Sequence, residues 1–321
     1  MMNQKKKSYP VQIVLAAVLL ALSHAAVLYG GTEDTIERSF TVKPGGTLKV
    51  DTQRGSIEVE GTSRNRLEVK VIREVRNTGR KQAEEIFEKF PVNFEQSGNN
   101  VIVTAEYADR NRLRRFWDDL GRKLRVRFII TVPEVYNLDL KTSGGSISTA
   151  RIEGQIMSRT SGGSLSFDDI TGDIRGRTSG GSIKIGQVNG DTEVHTSGGS
   201  ITIRQARGEV DAHTSGGSIT VDEVMGTIQA DTSGGSIKAT ITRQPQGACH
   251  LKTSGGSVTV SLAEDIAVDI DARTSGGRVQ TDLSVTIQGE VKRSALTAKL
   301  NGGGPELILR SSGGSIYLKR K

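Results

Sequence analysis

The chain has one cysteine in 321 residues. That excludes an intramolecular disulfide scaffold and any Cys-cluster zinc or iron–sulfur site. Aromatics are scarce, at 7 Phe, 5 Tyr and 1 Trp, so few rings are available to stack against sugars. Proline is also rare, at 6 residues, and the 39 glycines follow no three-residue period, which excludes a collagen helix. Beyond the N-terminus there is no long apolar run, so a multi-span helical membrane protein is excluded. No set of ten-residue alternating strands is left over for an outer-membrane barrel. Neither charge sign dominates: 43 Lys+Arg face 36 Asp+Glu, for a formal net charge of +7. With 25% charged residues and a mixed apolar set, wholesale disorder is excluded as well.

The N-terminus reads as a secretory signal. Lys5, Lys6 and Lys7 form a positive n-region, and an apolar run over 11–22 follows, broken only by Gln12. Ser23, His24 and Ala25 offer a cleavage site after Ala25; an uncleaved anchor is the alternative, because Ala26, Val27 and Leu28 prolong the run. Without the three lysines the net charge falls to about +4, too mild to point to nucleic acid.

From residue 141 the composition changes, and the cause is a repeat. Thr-Ser-Gly-Gly begins at Thr142, Thr160, Thr178, Thr196, Thr214 and Thr232, each 18 residues after the last. Copies at Thr253 and Thr274 follow at 21-residue spacing. A variant starts at Ser311, and a degenerate copy stands far upstream at Thr52-Gln53-Arg54-Gly55-Ser56-Ile57. Five residues after each Thr comes an aliphatic (Ile147, Leu165, Ile183, Ile201, Ile219, Ile237), usually with another apolar residue two further on. That period of two is a strand signature. The Gly pair permits positive φ, and so a corner. One 18-residue unit has too few apolar groups to bury alone, whereas stacked units share a core and pair their backbones.

The expected fold is therefore mainly β: a single-stranded β-solenoid of about 18-residue coils with an N-terminal α+β module. An antiparallel meander or propeller of 18-residue hairpins is the alternative. The expected divisions are a signal peptide (1–25), a capping α+β module (26–140) and the solenoid (141–321). Within the module, strands are expected at 48–50, 57–59, 67–72, 101–107, 126–132 and 135–140, and a short amphipathic helix at 80–90. The segment 110–124 sets Leu113, Phe116, Trp117, Leu120 and Leu124 at helical spacing beside several arginines. It reads either as a basic amphipathic membrane contact or as a piece packed on the end of the solenoid with its Arg heads in water.

An exported N-terminus, a strand–helix–strand module, the segment Val132-Pro133…Asn137-Leu138 and the Thr-Ser-Gly-Gly-Ser-Ile coils together resemble the bacterial "putative adhesin" family with β-strand repeats, DUF4097. The resemblance spans about residues 40–321. It implies a β-helical envelope or surface protein without enzymatic activity, adhesin-like or linked to envelope stress. It carries over no catalytic residue and no cofactor.

The residue just before each corner Thr or Ser carries most of the remaining chemistry: Lys141, Arg159, Arg177, His195, His213, Asp231, Lys252, Arg273 and Arg310. By period two these side chains point outward. Stacked, they make a basic column with about one charge per 4.8 Å. Such a column suits a polyanion such as lipopolysaccharide phosphates, teichoic acid or acidic polysaccharide. The plain alternative is long polar side chains at an edge, balanced by nearby Asp and Glu. His195 and His213 lack a third metal ligand. Asp168-Asp169, Asp222-Glu223 and Glu264-Asp265 offer the carboxylates that a polysaccharide lyase or hydrolase on a β-helix needs, but at turn-like positions where Asp serves local hydrogen bonding. No regular outward Thr-x-Thr pair supports an ice-binding array, and Cys249 reads as a small buried hydrophobe. The expectation is an exported, non-enzymatic interaction or structural protein of the periplasm, cell surface or medium, with no metal, no cofactor and no nucleic-acid partner; the alternative is a carbohydrate-active enzyme, a polysaccharide lyase or hydrolase on a β-helix. An anionic envelope polymer or another envelope protein is its expected partner, and membrane contact comes only through an uncleaved signal or the 110–124 segment.

Overall fold

The computed structural model describes residues 31–107, 123–288 and 292–321. The expected signal peptide lies outside these residues, as does nearly all of the 110–124 segment. Among the described residues the chain forms two long sheets of 13 and 14 strands. Each repeat gives one strand to each sheet, and successive repeats pair in parallel and in register: Leu165 with Ile147 and Ile183 in one sheet, Ile174 with Ile156 and Thr192 in the other. The fold is a β-solenoid with its core between the sheets. The predicted inward residues are buried, including Ile147, Leu165, Phe167, Ile170, Ile183 and Ile201. Each full burial of such a side chain contributes about 1.5–3 kcal/mol. Gly176 makes room in the core: a Cβ there would lie 3.2 Å from Leu165, 3.3 Å from Val194 and 3.4 Å from Phe167.

The corner is tighter than its composition suggests. None of the Gly pairs that follow a Thr-Ser adopts positive φ. The expectation that glycine supplies left-handed backbone there is corrected. Its reason is close approach: a Cβ on the second Gly (Gly163, Gly181, Gly199, Gly217, Gly235) would come under 3.0 Å from the carbonyl oxygen of the equivalent Gly one coil earlier. The buried Thr completes the joint. Thr178 Oγ1 donates to Gly163 O at 2.7 Å and accepts from Gly181 N–H at 3.3 Å. Thr160, Thr196, Thr214 and Thr232 repeat both bonds. The Ser after each Gly pair adds a further link, as Ser164 Oγ accepts from Ser182 N–H at 3.2 Å. Thr-Ser-Gly-Gly is thus an inter-coil joint whose hydroxyls give backbone groups of the corner their partners.

Chain order and stacking order diverge at both ends. The degenerate copy forms a full coil in which Thr52 pairs with Thr142 and Ile57 with Ile147. This coil lies between the Thr142 coil and the strands Asn100–Ala105 and Leu124–Pro133. At the far end, Glu306–Ser311 and Ile316–Arg320 lie between the Thr253 and Thr274 coils, parallel to both. Antiparallel strands close each end: Gly31–Thr41, Arg66–Arg76 and Val92–Ser97 at one, Ala295–Leu300 and Val285–Ile287 at the other.

The helix spans Arg80–Lys89 and buries Ala83, Ile86 and Phe87. Its C-terminal carbonyls meet the buried Arg73, which donates to Phe87 O at 2.8 Å and Phe90 O at 2.9 Å and pairs with Asp34. The guanidinium also lies 4.9 Å from the Phe87 ring centroid, so one cation supplies the donors that the helix end lacks.

Candidate interaction surface

Strand register brings the singled-out side chains into one row on the outer face of the 14-stranded sheet. Its order in space is Asp51, Lys141, Arg159, Arg177, His195, His213, Asp231, Lys252, Arg310, Arg273. Arg310 precedes Arg273 because the last coil is inserted. The inward neighbours Val194, Ala212 and Ala230 are buried, so period two turns the row outward.

A shallow groove of about 710 Å³ follows the middle of this row. Arg159, Arg177, His195, His213, Asp231 and Lys252 line one side, and the exposed corner serines from Ser179 to Ser254 line the other. The charges are only partly balanced. Two residues upstream, and on the same face, stand Glu193, Asp211 and Asp271. Glu193 pairs with Arg177 at 2.9 Å and with His195 at 3.4 Å. Asp211 lies 2.6 Å from His213, Asp271 pairs with Arg273 at 2.9 Å and also with Arg310, and Asp51 pairs with Lys141 at 2.9 Å. Arg159 and Lys252 make no ion pair among the described residues. The Arg177 guanidinium, by its hydrogen bond, holds the Glu193 carboxyl below its ordinary value. Burial pushes the His195 imidazole down, and the neighbouring His213 and Arg177 add to that push. The offset that revealed the row also reveals these carboxylates, one strand period upstream.

The other sequence candidates are not brought together. Asp168 is exposed and lies 3.5 Å from Arg204. Asp169 lies within the strand Leu165–Thr171, not in the expected turn, and takes φ 54°. Gln205 donates to Glu223 at 3.0 Å, and Glu264 pairs with Arg320 at 3.4 Å at the far end of the solenoid. Asp168 and Asp222 are three coils apart, roughly 14 Å at the strand spacing, too far for two carboxylates to flank one glycosidic bond. Cys249 is buried, and burial raises its thiol. Among the described residues no group of three or more His, Cys, Asp or Glu is placed to hold a metal ion, and no helix is long and apolar enough to cross a membrane. A second groove, of about 750 Å³, lies at the Arg54 corner, where Arg76, Arg125 and Arg127 face Glu33 and Glu74.

Several solved structures match most of the chain at low sequence identity and low TM-score. A "putative adhesin" from Parabacteroides distasonis is 12% identical over 90% of this chain and 97% of its own, with a TM-score of 0.37. A "putative cell adhesion protein" from Clostridium sporogenes is 14% identical over 90% of this chain and 100% of its own, with a TM-score of 0.23. A "putative lipid binding protein", also from Parabacteroides distasonis, is 12% identical over 90% and 97%, with a TM-score of 0.29. No curated protein matches the chain. The Toastrack DUF4097 family model matches residues 46–318, which takes in the out-of-order coils at both ends as well as the regular repeats between them; the chain belongs to this family.

Proposed function

We propose that this is an exported, non-enzymatic interaction protein of the cell envelope or surface, and that the outward row binds an anionic envelope polymer. One observation carries the reading. Lys141, Arg159 and Arg177 stand on three adjacent strands in register, with the middle cation making no ion pair among the described residues and a hydroxyl-lined groove beside it. Like charges about 4.8 Å apart repel, and a linear polyanion laid along the groove turns that repulsion into attraction while the serines hydrogen-bond its oxygens. The groove is shallow and open, which fits a polymer better than an enclosed small molecule. Export rests on the N-terminal signal pattern.

The test is binding to immobilised lipopolysaccharide and to teichoic acid across an ionic-strength series. The variant Arg159→Gln/Arg177→Gln/Lys252→Gln is expected to lose roughly tenfold or more in affinity and to flatten the salt dependence. Equal binding by the native protein and the variant overturns the assignment.

A further inference from the structure

The C-terminal coil, residues 304–321, occupies a slot that chain order would not leave for it. Its two strands are parallel to those of the Thr253 coil on one side and of the Thr274 coil on the other. Its corner joins both neighbours: Ser311 Oγ donates to Gly256 O at 2.8 Å, and Thr274 Oγ1 donates to Gly314 O at 2.6 Å. Leu307, Leu309, Ile316 and Leu318 are fully buried. The coil is therefore a keystone, inserted between coils that precede it in the chain.

Two features would allow such an insertion to be undone. First, the slot can close. The Thr274 coil carries the same Thr-Ser-Gly-Gly corner as every coil that stacks in chain order, and it follows Thr253 at the 21-residue spacing already used between Thr232 and Thr253. Stacked directly on the Thr253 coil, Thr274 would donate to Gly256 O just as Thr253 donates to Gly235 O at 2.7 Å. Loss of the keystone therefore leaves no broken corner in the main stack. Second, the connection to the keystone is a short, glycine-rich hinge. Asn301, Gly302 and Gly303 take φ values of 49°, 90° and 90° in succession, immediately before Gly304 and Pro305. Two of the three are glycines, which take positive or extended backbone alike, so the hinge can open without a steric penalty.

We propose that residues 304–321 form an exchangeable coil, and that the partner that accepts it is a second copy of this chain. In the exchanged pair each copy's last coil fills the other's slot. Every inter-coil contact is kept, and only the hinge changes, which is the condition under which such exchange costs little. A double basin of this kind, with two packings of one sequence, is the physical requirement for a switchable element. The proposal is independent of the polyanion reading, because the keystone's corner, core and hinge do not depend on what the groove binds.

The experiment uses full-length chains with Cys249→Ala. His250 and Ile308 are direct partners on adjacent strands and both lie on the outer face. One copy carries His250→Cys; a second copy, of different mass, carries Ile308→Cys. The two are co-expressed and oxidised in air. A third chain with both substitutions, bridging within itself, establishes that the pair is close enough to cross-link. A copy with Cys at the exposed Ser148 measures collision background. Exchange gives a disulfide-linked pair of unequal copies, well above that background and rising with concentration. Gly302→Ala, which strains the hinge at an open site where an added Cβ meets nothing within 4 Å, is expected to raise the linked fraction several-fold. A solution that stays monomeric at all concentrations, with unequal-pair linkage no higher than the Ser148 background, overturns the proposal.

Discussion

The rings of His195 and His213 are stacked, with centroids 4.9 Å apart and planes 8° from parallel, at the centre of the charged row. Around them stand Arg175 and Arg177 on the preceding strand, Glu193 and Asp211 on their own strands, and Asp231 on the next, 3.7 Å from His213 Nδ1. Burial, the stacked His213 ring and Arg177 all work against a proton on His195.

A direction of pH dependence follows. The folded His195 binds its proton less readily than an unfolded His of value 6.5. The unfolded state then takes up protons first, so the stability linked to this group is present above about pH 6.5 and is lost as the pH falls through the folded value. Glu193, also lowered, from 4.5, has its contribution above that value and loses it at lower pH, so both groups act in the same sense. Chemical denaturation midpoints between pH 7.5 and 5 should decline. His195→Gln should flatten the decline, and an unaltered slope in that variant would show that the stack is not its source.

The two glycines of one corner should behave oppositely. An added Cβ at Gly162 meets nothing nearer than 3.8 Å, whereas at Gly163 it runs into the Gly145 carbonyl. Gly162→Ala is expected to change stability by between zero and about +1 kcal/mol through a stiffer unfolded chain. Gly163→Ala must push adjacent coils apart and is expected to cost about 3 kcal/mol. Urea unfolding of the two single variants separates close approach from backbone freedom as the reason for the Gly pair.

Two threonines on one strand give a second contrast. Thr192 is buried between Ile174 and Val210 with its hydroxyl unpartnered. Thr196, four residues on, bridges Gly181 O and Gly199 N–H. Thr192→Val is expected to stabilise by about 1 kcal/mol, and Thr196→Val to destabilise by about 1–2 kcal/mol. Thermal unfolding of both variants checks the signs.

Arg73→Ala removes the donor to two buried carbonyls and strands Asp34. The expected loss is about 3 kcal/mol, with faster amide exchange concentrated in Arg80–Lys89. Uniform exchange across the solenoid would contradict that local role.

The repeat was legible because its spacing, its Thr and its aliphatic offsets recur without drift, and the outward row followed from a single offset. The helix and six of the strands at the N-terminal end were legible for the ordinary reason of apolar period. Gly31–Thr41 was not: as an edge strand it buries little on either face and shows no alternation. The role of the Gly pair is not legible in the sequence, because close approach involves the neighbouring coil, whereas φ preference is a property of the residue alone. The inserted coil was hidden by the Thr274 corner, whose chemistry suits the Thr253 coil as well as it suits the coil it meets. The partners of the row, Glu193, Asp211 and Asp271, were visible as nearby acids but not as specific pairs, since which cation each one takes depends on rotamer and register together.

The corner joint also has a bearing on how such a chain can change. Pitch and alignment are set by buried hydroxyls and by bare backbone at the corner, so the outward wall positions are released from structural duty. Arg159, Arg177, His195, His213, Asp231 and Lys252 already set four kinds of side chain on one unvarying frame. The molecule behaves as a ruled page: a lineage can rewrite the text line by line, testing new recognition chemistry at regular intervals, without redrawing the lines.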